Sequence, residues 1–115
     1  MISVEVLRVA ATALPGVEET APFGLPLFTV AGVGFLGVQK GRTTVVLAVD
    51  EHEAAALVAG QQELYEEVWR RDDTFVGVRV DLTRVPEPRL RELIVAAWRN
   101  TAPRDLVAAH GRPAR

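Results

Sequence analysis

Apolar positions change period several times along the chain, and each change marks an element. Val6, Leu7, Ala10, Ala13 and Leu14 recur at helical spacing, which predicts a helix over residues 4–14 with Ser3 as its N-cap and Glu5 in its first turn. Pro15 and Gly16 end that helix. The stretch 17–26 is then read as an irregular arm, its path restricted by Pro22, Gly24 and Pro26. Beyond it lie three short runs rich in Val, Leu, Phe and Thr, at 27–31, 35–38 and 43–49. They are cut by Gly32-Val33-Gly34 and by Gln39-Lys40-Gly41-Arg42, the signature of an antiparallel meander.

The pattern then reverts to helical. Asp50 is a good N-cap, Glu53 stands at the capping-box position, residues 54–59 favour helix, and Gly60 suits its end. Residues 61–71 fit either period; we read an irregular turn leading into a short strand at 67–70. Turn chemistry at Arg71-Asp72-Asp73-Thr74 joins it to a strand at 75–82, with Val76, Val78 and Val80 on one side and Phe75, Gly77, Arg79 and Asp81 on the other. Pro86 and Pro88 open a last long helix over 87–100, with Leu90, Leu93, Ile94, Ala97 and Trp98 as its buried stripe. A second helical piece at 104–109 follows Pro103, and the tail 111–115 is expected to fray. The fold class is therefore α+β: an antiparallel sheet of about five strands with helices packed on it, in the order α-β-β-β-α-β-β-α.

At 115 residues the chain is the size of one domain. Its longest apolar runs fall far short of the roughly 20 residues of a membrane span, and Glu5 and Arg8 interrupt any signal-like N-terminus. A cytoplasmic protein with no membrane contact is the expectation. No cysteine is present, which removes disulfides and thiolate chemistry. The formal charge of −2 hides an asymmetry. Up to Trp69, three basic residues face nine acidic ones; from Arg70 onward, ten arginines face six acids. Such halves either present an anionic partner with one basic face or interleave once the chain folds.

Four segments, ALPGVEETAPFGLPLFTVAG (13–32), VVLAVDEHE (45–53), FVGVRVDL (75–82) and LRELIVAAWRNTAPRDLVAA (90–109), resemble the MmcQ/YjbR family of small bacterial proteins in the family's own order. The LPGVEE start and the step from Gly24 through Pro26 into the first strand are the most specific part. The resemblance implies a compact α+β domain of the kind likened to a double-wing DNA-binding motif. The chain departs from many members at 68–74, VWRRDDT, where a histidine- and aromatic-rich segment is usual.

Few side chains offer chemistry. Ser3 is the only serine and is better used as a cap, Lys40 is the only lysine, and His52 and His110 are distant in sequence, so no enzyme, metal or cofactor is expected. Asp50, His52 and Glu53 have ligand types but read as a helix start. Two site readings remain. In the first, Lys40 and Arg42 on one hairpin, with Arg70, Arg71 and Arg79 on the other, straddle a DNA backbone and bind it by charge, with Trp69 available to stack. In the second, Glu18 and Glu19 beside Phe23 make a pocket that accepts a basic group or works as an acid-base pair, and the 17–28 arm with the exposed sheet face forms a non-catalytic ligand-binding or protein-interaction module. The sequence leaves monomer and homodimer both open.

Overall fold

The computed structural model describes residues 1–110, so the tail expected to fray lies outside the described residues. The elements run α1 (Val4–Thr12), β1 (Val17–Thr20), β2 (Leu27–Val30), β3 (Val33–Val38), β4 (Thr44–Leu47), α2 (Glu51–Gly60), β5 (Tyr65–Trp69), β6 (Phe75–Asp81), α3 (Glu87–Thr101) and α4 (Arg104–His110). The fold class is the α+β one expected, with one strand more. The supposed irregular arm begins as β1, an edge strand pairing antiparallel with β2 from Val17 opposite Val30 to Thr20 opposite Leu27. Three polar residues in a row hid it, because an edge strand need not bury alternate side chains.

All six strands join in one antiparallel sheet of order β1-β2-β3-β4-β6-β5. The chain meanders from β1 to β4, crosses through α2 to the far edge as β5, and returns inward as β6. The β2–β3 turn is tighter than the glycine spacing suggested. It uses only Ala31 and Gly32, both at positive φ (52° and 78°), and Val33 and Gly34 already belong to β3. Positive φ at both central residues is the demand of the hairpin turn whose twist matches its strands.

Two register shifts set what enters the core. Opposite β2, the step from Phe28 to Thr29 spans Leu36 to Gly34, so Phe35 is an extra residue in β3. Phe35 and Leu36 are consecutive, yet both are buried, as expected where a bulge breaks the alternation. Likewise Val68 opposes Gly77 and Trp69 opposes Phe75, leaving Val76 extra in β6, so the strict alternation expected over 75–82 fails at its start.

The helices cover one face. Phe28, Leu36, Leu47 and Val78 stand opposite one another across four strands and are all fully buried. Leu7 and Ala11 of α1, Ala54 and Leu57 of α2, and the whole expected stripe of α3 belong to the same core. Ala11, not Ala13, is the inward alanine of α1, since the helix stops at Thr12 and Ala13 becomes its C-cap. Trp98 is fully buried, and its indole Nε1 donates to the Pro15 carbonyl (3.0 Å), tying α3 to the turn after α1. The caps act as read: Ser3 Oγ accepts from Val6 N–H, and Asp50 Oδ1 from Glu53 N–H.

Candidate functional site

The side of the sheet away from the helices carries one row crossing all six strands: Thr20, Leu27, Gly37, Val46, Arg79 and Glu66, each opposite the next. Leu27, Gly37, Val46 and Arg79 are only half-buried, in contrast with the fully buried row behind them. The glycines matter here. A methyl group on Gly34 would stand 3.1 Å from Leu27 Cδ1, and one on Gly37 3.6 Å away, so the Leu27 side chain lies across a floor that has none of its own. From this floor a trough of about 420 Å³ runs past Val46 and Ala48 towards Arg70 and Phe75.

Beside the apolar floor, polar groups interlock. Gln39 Oε1 accepts from the Thr44 hydroxyl (2.7 Å) and from Arg79 Nε (2.9 Å), and Arg79 Nη1 forms an ion pair with Glu66. Arg79 comes from the basic half of the chain and Glu66 from the acidic half, so here the two charge halves interleave. A second depression, about 550 Å³, is lined by Thr44 and Arg79 together with Glu63, Glu66, Glu67 and Asp81. Four carboxylates against one guanidinium make that surface unfavourable to phosphate.

The candidate cations divide between two ends of the sheet. Thr44, after the β3–β4 turn, stands opposite Asp81, whereas the β5–β6 turn lies beyond Phe75 at the other end of β6. The six steps between separate the Lys40–Arg42 tip from the Arg70–Arg71 tip by about 20 Å along the strand. The two tips thus point away from each other, with the paired Arg79 and its neighbouring carboxylates between them. Arg42, at positive φ, donates from Nη2 to the Gly24 carbonyl (3.3 Å), while Lys40 and Arg71 are exposed. Arg70 reaches the trough and lies near Asp72, whose carboxyl is held below its usual range by the Thr74 hydroxyl, then by the Thr74 amide, with Arg70 adding attraction.

Glu18, Glu19 and Phe23 do not converge. Glu19 faces the helix side, where it takes two hydrogen bonds from Arg8 of α1 (2.7 and 3.0 Å); the Arg8 guanidinium holds its carboxyl below the usual range. Glu18 falls on the opposite face, in the row of Thr29 and Gly34. Phe23 is 92% exposed in the β1–β2 loop. Among the described residues no group of three or more His, Asp or Glu could hold a metal ion, and no helix is long and apolar enough to cross a membrane. Sequence reasoning offered the 17–28 arm, which includes Leu27, with the exposed sheet face, but did not single out Gly34, Gly37, Gln39, Thr44 and Val46. Their one legible signal was glycine recurring inside a strand pattern.

This architecture, an antiparallel six-stranded sheet with helices on one face, recurs in a solved structure, the Deinococcus radiodurans protein DR2400 with its DUF419 domain. The TM-score is 0.76 and the identity 21%, over 98% of this chain and 91% of that one. At that identity the likeness is one of fold. The YjbR family model matches residues 12–100, from the end of α1 to near the end of α3, and the chain belongs to the YjbR family. No curated protein matches it.

Proposed function

We propose that this protein is a non-catalytic binding module whose site is the uncovered face of the sheet. The row from Thr20 to Glu66 carries the proposal: a half-buried apolar floor at Leu27, Gly37 and Val46, flanked by polar groups at Gln39, Thr44 and Arg79 that are fixed by one another. Apolar lining with a few oriented polar groups is how small-ligand sites are built. Ser3, the only serine, is engaged as the cap of α1. The DNA reading draws on the same hairpins but receives its cations at two separated tips, with carboxylates between.

Amide chemical-shift mapping with a library of small heterocycles and carboxylic acids tests the proposal. The expected result is perturbation centred on Leu27, Gly37 and Val46, lost in Val46→Asp. Fluorescence anisotropy on duplex DNA across a salt series runs alongside. A library that leaves those amides unmoved, with DNA binding that falls steeply with salt and needs both basic tips, would replace this reading with the nucleic-acid one.

A further inference from the structure

The sheet ends on one side at β5, whose sequence is YEEVW. Its hydrogen-bonding parity follows from two flanking bonds: Asp81 N–H donates to the Leu64 carbonyl, and Arg70 N–H to the Thr74 carbonyl. Directly opposed residues of an antiparallel pair alternate between bonded and non-bonded, so Leu64, Glu66 and Val68 turn their main chain inward to β6. Tyr65, Glu67 and Trp69 turn theirs outward. Tyr65 N–H donates to the Gln61 carbonyl. Among the described residues, no backbone partner meets the outward N–H and C=O of Glu67 or Trp69. That is a row of main-chain groups ready to pair with another strand.

Which strand it accepts is decided by charge. Glu63, Glu66 and Glu67 line this margin and the depression beside it, where Arg79 is the lining cation, while Arg70 and Arg71 follow beyond the end of the strand. Glu66 and Glu67 are adjacent, so their side chains leave the strand on opposite faces. A second copy pairing antiparallel about Glu67 would set that carboxylate against its own image, which like charges directly across a ladder oppose. A partner carrying two consecutive basic residues meets one carboxylate on each face instead. Trp69, 45% exposed at the end of the strand, adds an apolar surface for a residue further along. Glu66 already meets Arg79 and Glu67 accepts from Trp69 Nε1 (3.1 Å), but a carboxylate has lone pairs enough to take an incoming cation as well.

We infer that the free edge of β5 docks an extended segment of a partner protein bearing an adjacent pair of Lys or Arg residues, which adds as a seventh strand. The edge shares Glu66 with the end of the open-face row but not the trough past Val46, so Val46→Asp and the N-methylated peptide separate failure of one from failure of the other.

A fluorescein-labelled hexapeptide of alternating Val and Thr around a central Lys-Arg pair tests it, with anisotropy measured against the whole protein at low and physiological salt. Binding is expected, weakened about tenfold or more in Glu66→Gln with Glu67→Gln, and weakened further at higher salt. The same peptide N-methylated on the amides that would pair leaves the protein intact and separates strand addition from charge contact; it is expected not to bind. The inference is overturned if the basic peptide does not bind, if a Glu-Glu peptide binds equally, or if N-methylation changes nothing. It is also overturned if sedimentation shows the protein dimerising through this edge, with peptide failing to compete.

Discussion

Gly77 passes the Leu47 carbonyl so closely that no Cβ fits between β6 and β4: a methyl group built there overlaps the Leu47 carbonyl oxygen and stands 3.1 Å from Ala48 Cα. Both obstacles are backbone and cannot rotate away. Gly77→Ala is therefore expected to separate the two strands locally and destabilise the protein by about 3 kcal/mol or more, at the upper end of single substitutions. Urea unfolding checks this; a loss below about 1 kcal/mol would mean the strands part easily.

The β2–β3 turn has the opposite tendency. Ala31 occupies left-handed space at φ 52° before Gly32, a conformation costing a residue with a plain Cβ about 1–2 kcal/mol. Asn followed by Gly is the favoured pair for such a turn. Ala31→Asn, at an exposed site, is expected to raise stability by about 0.5–1 kcal/mol, read as a higher melting temperature.

Arg8 holds Glu19 through two hydrogen bonds, so the carboxyl of Glu19 is lowered on folding. A lowered carboxyl contributes stability that is present above its unfolded value, roughly pH 4, and is lost as pH falls through the folded value. Glu19→Gln should thus be less stable than the parent near pH 7, and the gap should close as the pH drops below about 4. A gap that widened on acidification would contradict the pairing.

The separation of the basic tips is testable without knowing any ligand. If residual attraction to polyanions exists, Lys40→Ala with Arg42→Ala, and Arg70→Ala with Arg71→Ala, should each reduce it independently, since additivity holds for sites more than about 10 Å apart. Heparin-column retention measures both pairs and their combination. A combined loss much larger than the sum would indicate one joint site.

What the sequence disclosed follows from how strongly burial dictates pattern. The α3 stripe was legible to the residue because a fifteen-residue helix pressed on a sheet must repeat its apolar face, and Leu90, Leu93, Ile94, Ala97 and Trp98 do. The Ser3 and Asp50 caps were legible because their chemistry is local. β1 was not, since VEET at an edge is held by main-chain bonds that carry no side-chain signature. The open face was harder still. Gln39 and Arg79 meet only because β3, β4 and β6 are neighbours, and forty residues separate them in the chain. The spacing of the cations was hidden for a related reason: hairpin tips are visible as turns, but which end of the sheet each occupies depends on the crossover through α2.

The unequal placement of the two tryptophans gives the molecule an internal pair of optical reporters. Trp98 is fully enclosed, so its emission should lie to the blue and resist acrylamide until the chain unfolds, whereas Trp69, with nearly half its surface in water at the end of β5, should emit further to the red and be quenched readily. Red-edge changes with a constant blue component would therefore report events at the sheet margin in the native state, without any added label.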